Sequence, residues 1–184
     1  MVIIDNDITE IVPHLFLSNW FTSNNANVLY KNNIKAVITI ETLEKPSDIL
    51  LYQQMNGIQN MYINLFDSPS DNIYQHFDTT YDFINDKISK GENVLVHCYA
   101  GISRSATIVL NYLLRSFYQN RNNVISNNPL EIVYSVLNFV RQQRPIVNPN
   151  QGFLNQLLRK TIQYSNEYLK TEYFCMRRSH SSHF

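Results

Sequence analysis

Cysteine is scarce in this chain: Cys98 and Cys175 are the only two among 184 residues. Two are too few for a disulfide scaffold, and no Cys-x-x-Cys pair or Cys/His zinc spacing occurs. No apolar run approaches the ~20 residues that cross a bilayer. Net charge is lacking too, since 15 Lys and Arg balance 15 Asp and Glu. Without a long basic run in the body of the chain, a broad nucleic-acid footprint is not expected. The opening MVIIDNDITE has no basic segment followed by a long apolar one, as a secretory leader would, and no prenylation motif is found. There is no internal repeat and no low-complexity linker. These absences lead to the expectation of an intracellular, cytoplasmic protein that is not inserted in a membrane. A reactive thiol survives in such a reducing setting.

What is present suits one globular domain. Hydrophobic residues make up 44% of the sequence, which is enough for a sizeable core and excludes a disordered chain. Asparagine occurs in scattered pairs and is read as a turn and cap former. EIVPHLFL, residues 10–17, is a short strand segment broken at Pro13. Asn24 is placed to cap a short helix through Tyr30. IKAVITI (34–40) is apolar and β-branched, as a buried strand is. Pro46 opens a helix over 46–56, with Gly57 as its stop. NMYINLF (60–66) is another strand, and the polar loop DSPSDN (67–72) follows it.

Ile73, Phe77, Tyr81, Ile84 and Ile88 recur at the spacing of one helix face, and Gly91 ends that helix. NVLVH (93–97) is a compact strand. The loop CYAGISR and the apolar helix SATIVLNYLLRSFY come next. Asn128 and Pro129 cap and start a helix over 129–142. Pro145 and Pro149 bracket a rigid turn. A last helix begins near Asn150 and turns Phe153, Leu154, Leu157, Leu158 and Ile162 inward. Beyond about residue 165 the pattern fades into a loose basic tail. Strands alternating with helices indicate an α/β fold with a central, mostly parallel sheet flanked by helices. The expected division is a domain over 1–164 and a C-terminal extension over 165–184.

The chemistry is concentrated at His97-Cys98-Tyr99-Ala100-Gly101-Ile102-Ser103-Arg104-Ser105, between a strand and a helix. Backbone N–H groups converge in such a loop, and the helix N-terminus behind them adds positive potential, so a phosphate dianion fits. Gly101 lets the backbone turn tightly. Arg104 offers two parallel N–H bonds to phosphate oxygens. The same field favours the thiolate of Cys98, and His97 and Ser105 are placed to hydrogen-bond it. A lone cysteine at a strand end is usually a small buried apolar residue. The His-Cys-x5-Arg-Ser pattern shifts the reading to an anion-binding nucleophile. An acid must also protonate the leaving oxygen. Asp67 begins an exposed loop after a strand, from which it can swing over the pocket. Asp71 is its rival, although its place before an amphipathic helix also suits a cap.

These motifs resemble the dual-specificity class of protein tyrosine phosphatases from about residue 8 to 160. EIVPHLFLSN is similar to the family's opening strands, and IKAVITI to its next strand, with Thr39 where asparagine is common. Asp67, ten residues before Phe77, matches the general-acid loop. VLVHCYAGISRSATIVLNYLL matches the phosphate loop and its helix, and RPIVNPNQGFLNQL (144–157) the closing motif. The resemblance implies the compact fold of this class and a cysteinyl-phosphate formed on Cys98. It implies that Arg104 and the N–H groups of residues 99–104 hold the equatorial oxygens. Asp67 is then the acid and later the base, Ser105 helps the thiolate leave, and Asn150 braces the loop. No metal or cofactor is expected.

Tyr99, Ala100, Ile102 and Ser103 leave the variable part of the loop neutral. This favours phosphorylated proteins over lipid phosphates or RNA 5′-triphosphates. RNA 5′-phosphatase activity and phosphopeptide binding without turnover stay as alternatives. No long insertion after residue 41 builds a deep cleft, so the resemblance implies a shallow pocket that admits phosphotyrosine, phosphoserine and phosphothreonine. Arg141 or Arg144 is a candidate for a second phosphate, or else a solvated helix-end arginine. Tyr164, Tyr168, Tyr173 and Phe174 are costly to expose, which makes residues 165–184 a candidate homodimer surface.

Overall fold

The computed structural model describes residues 7–44, 47–119 and 128–181, with side chains described through residue 171. Five strands form one sheet: β1 (Ile8–Val12), β2 (Leu15–Ser18), β3 (Ile34–Ile40), β4 (Gln59–Ile63) and β5 (Asn93–His97). Their order is β1-β2-β5-β3-β4. β1 is antiparallel to β2, and the pairs β2–β5, β5–β3 and β3–β4 are parallel. The mostly parallel sheet read from the sequence is therefore found, with β5 at its centre.

Both faces of the sheet are covered, which is why its inner strands are almost continuously apolar. Ala36, Ile38, Val94 and Val96 point into the larger core, with Phe77, Ile108 and Phe153. Val37 and Leu95 alternate to the other face and meet Phe16, Leu29, Ile49 and Ile58. The helices are α1 (Trp20–Ser23), α2 (Ala26–Lys31), α3 (Ser47–Met55), α4 (Phe77–Ile88), α5 (Arg104–Gln119), α6 (Pro129–Gln143) and α7 (Gln151–Ser181), with a 3-10 turn at Tyr74–His76 before α4. The expected division at residue 164 falls inside α7, whose helical backbone runs across it without a break. No described helix is long and apolar enough to cross a membrane.

The segment broken at Pro13 is a hairpin. His14 takes φ 70°, and its N–H donates to Glu10 Oε1 at 3.1 Å, which reverses the chain between β1 and β2. The asparagines do cap helices: Oδ1 of Asn19, Asn25 and Asn128 accepts from the N–H of Thr22, Asn27 and Leu130. The cap expected at Asn24 is at Asn25, because Asn24 closes the four-residue α1, which no periodicity reveals. Pro46 lies outside the described residues.

Two readings of the last helix are corrected. Ile162 is 44% exposed, while Lys160, Thr161, Tyr164 and Ser165 face inward. Positions four apart drift by about 40° per step on a 3.6-residue helix, so Leu154 and Leu158 lie at the edge of the core and Ile162 passes beyond it. The expected loose tail is helical to Ser181. No glycine or proline stands after Gly152 to interrupt it. Tyr164 is buried and donates its hydroxyl to Asn111 Oδ1 at 2.9 Å, and Tyr168 packs on Tyr118. Two of the four aromatic residues that suggested a second subunit are thus covered by their own chain. The side chains of Tyr173 and Phe174 lie outside those described.

Candidate active site

In a parallel sheet the carboxyl ends of the strands are where sites form. Three such ends meet here. β5 delivers Cys98, β3 delivers Glu41, and the segment after β4 delivers Asp67. Cys98 is 1% exposed. Its Sγ accepts from the Gly101 N–H at 3.3 Å and from the Ser105 hydroxyl at 3.1 Å. The sulfur is thus the acceptor of two hydrogen bonds.

The loop holds its carbonyls outward. Tyr99 O accepts from the Trp20 N–H at 3.0 Å, Gly101 O from Arg144 Nε at 3.0 Å, and Ile102 O from the Asn148 N–H at 2.9 Å. In a trans peptide the N–H points opposite to its carbonyl. Fixing those three carbonyls therefore turns the N–H groups of Ala100, Ile102 and Ser103 toward the concave side, above the sulfur. Gly101 takes φ 68°, and a Cβ there would lie 2.5 Å from Ser18 O and 2.7 Å from Arg144 Nη2. Glycine is required for both the conformation and the close approach.

Arg104 begins α5 and is 7% exposed. Its Nη1 donates to Glu41 Oε1 at 3.0 Å and to Leu65 O at 3.1 Å, and its Nη2 donates to Glu41 Oε2 at 3.1 Å. A guanidinium has five N–H bonds. Three are thereby used. The two that remain, on Nε and on Nη2, lie parallel along one edge, which is the fork that a phosphate accepts. Nε has no partner among the described residues. Glu41, itself 3% exposed, both neutralises the buried cation and decides which edge is left over.

Asp67 is exposed and held by neutral groups. Its Oδ1 accepts from Ser103 Oγ at 2.7 Å and from Asn150 Nδ2 at 2.8 Å. Asn150 also donates its N–H to Ser103 Oγ at 3.2 Å, and its Oδ1 caps α7 by accepting from the Phe153 N–H. It joins the phosphate loop, the acid loop and the last helix. The loop does not hang free. Asp71 O accepts from Gln156 Nε2 at 2.8 Å, and Pro69 lies so close to Gly152 that a Cβ there would collide with the Pro69 carbonyl. Asp71 uses its carboxylate to accept from the Phe66 N–H at 2.9 Å, so it shapes the loop. His97 is buried under Cys98, and its Nε2 is engaged with Thr39 Oγ1 at 2.8 Å. That ring nitrogen serves β3, with threonine filling the place where asparagine is common.

Both candidates for a second phosphate are turned to structural work. Arg144 is 3% exposed and bonded to Gly101 O and Asp7. Arg141 donates to Val147 O and to Asn148 Oδ1, holding the turn between Pro145 and Pro149. Of the residues singled out in the sequence, the fold gathers Cys98, Arg104, Asp67, Ser105 and Asn150 around one loop. The sequence reading missed Glu41, Asp7 and the inward role of Arg144. A charged residue at the carboxyl end of a buried strand was the available signal for Glu41. For Asp7, 137 residues from Arg144, no spacing exists to read.

Three comparisons place this geometry among known proteins. The family described as "Dual specificity phosphatase, catalytic domain" matches residues 15–163. "Dual specificity protein phosphatase 22" of Xenopus tropicalis is 34% identical over 152 residues, covering 83% of this chain and 64% of the relative. The chain thus spans less than two thirds of that relative's length. "Putative tyrosine phosphatase 123R" of Invertebrate iridescent virus 6 is 34% identical over 149 residues, covering 81% of this chain and 88% of the viral protein. Among solved structures, "Crystal structure of DUSP15" superposes with TM-score 0.70 at 28% identity, covering 89% of this chain and 95% of that one.

Proposed function

We propose that this chain, which belongs to the dual-specificity phosphatase family, hydrolyses phosphotyrosine, phosphoserine and phosphothreonine in proteins through a cysteinyl-phosphate. The observation that carries this reading is the leftover Arg104 fork beside a Cys98 sulfur that two donors already hold as an anion's partners would.

In the first step the Cys98 thiolate attacks phosphorus. An S–P bond forms as the ester P–O bond breaks, and a proton passes from the Asp67 carboxyl to the leaving oxygen. Ser103 and Asn150 both donate to Oδ1, so the proton rides on Oδ2. The inward N–H groups and the Arg104 fork meet the equatorial oxygens, where charge gathers in the transition state. In the second step water attacks phosphorus, the Asp67 carboxylate takes its proton, and the S–P bond breaks. Inorganic phosphate leaves, and the Ser105 hydroxyl donates to the returning thiolate. Catalysis of this kind is mostly positioning.

Protein substrates are favoured by the neutral loop side chains Tyr99, Ala100, Ile102 and Ser103, and by the zero net charge of the chain. The names of the relatives agree with this reading. The test is phosphate release from p-nitrophenyl phosphate, from phosphotyrosine and phosphothreonine peptides, and from 5′-triphosphorylated RNA, assayed side by side. Turnover of the peptides with little on RNA is expected. Preference for the RNA would overturn the substrate class, and tight peptide binding without release would overturn turnover.

A further inference from the structure

Of the three groups that hold the loop carbonyls outward, two are backbone N–H groups, of Trp20 and Asn148. The third, Arg144 Nε on Gly101 O, is a side chain. It aims the peptide that carries the Ile102 N–H, so its own aim matters. Arg144 lies just past α6 and is almost fully buried, and a half-buried carboxylate sets its orientation. Its Nη1 donates to Asp7 Oδ1 at 2.5 Å, its Nη2 to Asp7 Oδ2 at 2.8 Å, and Nη1 also reaches Thr9 Oγ1 at 3.4 Å. One edge of the guanidinium is taken by Asp7, and the other lies over Gly101, where Nη2 would be 2.7 Å from an added Cβ.

Asp7 accepts a further bond from Asn19 Nδ2 at 2.5 Å. Asn19 caps α1, whose first residue is Trp20, another of the loop's anchors. The residue immediately before edge strand β1 is thereby tied to two of the three anchors.

We propose that Asp7 is a positioning residue for phosphate binding, acting through Arg144 on the Gly101–Ile102 peptide. It touches neither substrate nor sulfur. A bidentate carboxylate fixes the guanidinium plane, and that plane fixes the direction of one inward N–H. The proposal rests on residues 98–104 forming the oxyanion cradle of the function proposed above. It gives the chain's first described segment a part in the site, because the start of β1 lies at the sheet edge that carries the loop.

The test is orthovanadate affinity of the full-length protein, read by the fluorescence of Trp20, the sole tryptophan, alongside kcat/KM on p-nitrophenyl phosphate. Asp7→Asn is expected to weaken vanadate binding and lower kcat/KM by the same factor, about tenfold, as small misplacements of catalytic donors do. Asp7→Glu, which keeps the carboxylate, restores part of the loss. In an Arg144→Lys background, Asp7→Asn adds less than about twofold, because the two residues act through one bond. Vanadate affinity of Asp7→Asn within about twofold of wild type overturns the proposal. So do losses that multiply in the double variant. Should Arg144→Lys fail to fold, the comparison of Asp7→Asn with Asp7→Glu decides alone, since Asp7 is partly exposed. A wild-type protein that binds vanadate yet turns over no phosphomonoester would sink the proposed function. The vanadate ratios would still judge Asp7.

Discussion

Arg104 and Asp67 face the same loop, but one is buried against a carboxylate and the other stands in solvent among neutral donors. The difference follows from what each must do. A guanidinium keeps its charge throughout the reaction. Burying it is tolerable only with a permanent counter-charge, which Glu41 supplies. A residue that gives up a proton in one step and regains it in the next has no fixed charge to match. Asp67 is held instead by a hydroxyl and an amide, neither of which carries a formal charge. The site thus pairs ions at Arg104 and uses neutral hydrogen bonds at Asp67.

That contrast can be broken from several sides. The largest effect is expected from Cys98→Ser, which removes the proposed nucleophile itself. Phosphate release should fall by about 10⁴-fold or more, and phosphate should no longer be trapped on the protein in quenched-flow labelling. Arg104→Lys keeps the charge but loses the fork and the bidentate grip on Glu41. A loss of about 10²–10³-fold in kcat is expected, with weaker vanadate binding.

Asp67→Asn should lower kcat about 10²-fold on phosphotyrosine or phosphothreonine peptides and much less on p-nitrophenyl phosphate, whose leaving group needs no proton. If Asp71→Asn shows that leaving-group dependence instead, the roles assigned to the two carboxylates are reversed. Asn150→Ala frees Asp67 from one of its two donors while sparing the acid. About a tenfold loss in kcat is expected, with vanadate affinity nearly unchanged, because the cradle keeps its anchors.

The smallest effect concerns stability. Burial holds His76 below the usual histidine range of 6.5. The unfolded chain then binds more protons between the two values, so this contribution is complete above about pH 6.5 and erodes as pH falls below it. Thermal melts of His76→Gln between pH 5 and 7.5 should be less pH-dependent than those of the wild type.

How much of this was legible in the sequence depended on the range of the interaction. Strand β5 and the loop after it were readable because five apolar-rich residues and a glycine-bearing turn are local signals. The Asn128 cap and the start of α6 were readable for the same reason. Asp67 was singled out mainly through family resemblance, since an aspartate opening a polar loop has many uses. Helix α1 was hidden because four residues show no period, and the course of Ile162 because drift along a long helix depends on what packs beside it. The ion pairs Glu41–Arg104 and Asp7–Arg144 join residues 63 and 137 positions apart, so only the folded chain displays them.

The contact of Gly152 with Pro69 bears on the tempo of the reaction. Backbone meets backbone there, and Gln156 and Asn150 fasten the same loop on either side. The loop that carries the proposed acid is thus fastened to the start of the last helix at three points. A loop so fastened is expected not to gate turnover, so kcat should not slow as solvent viscosity rises, in contrast to enzymes whose lids must travel through the medium.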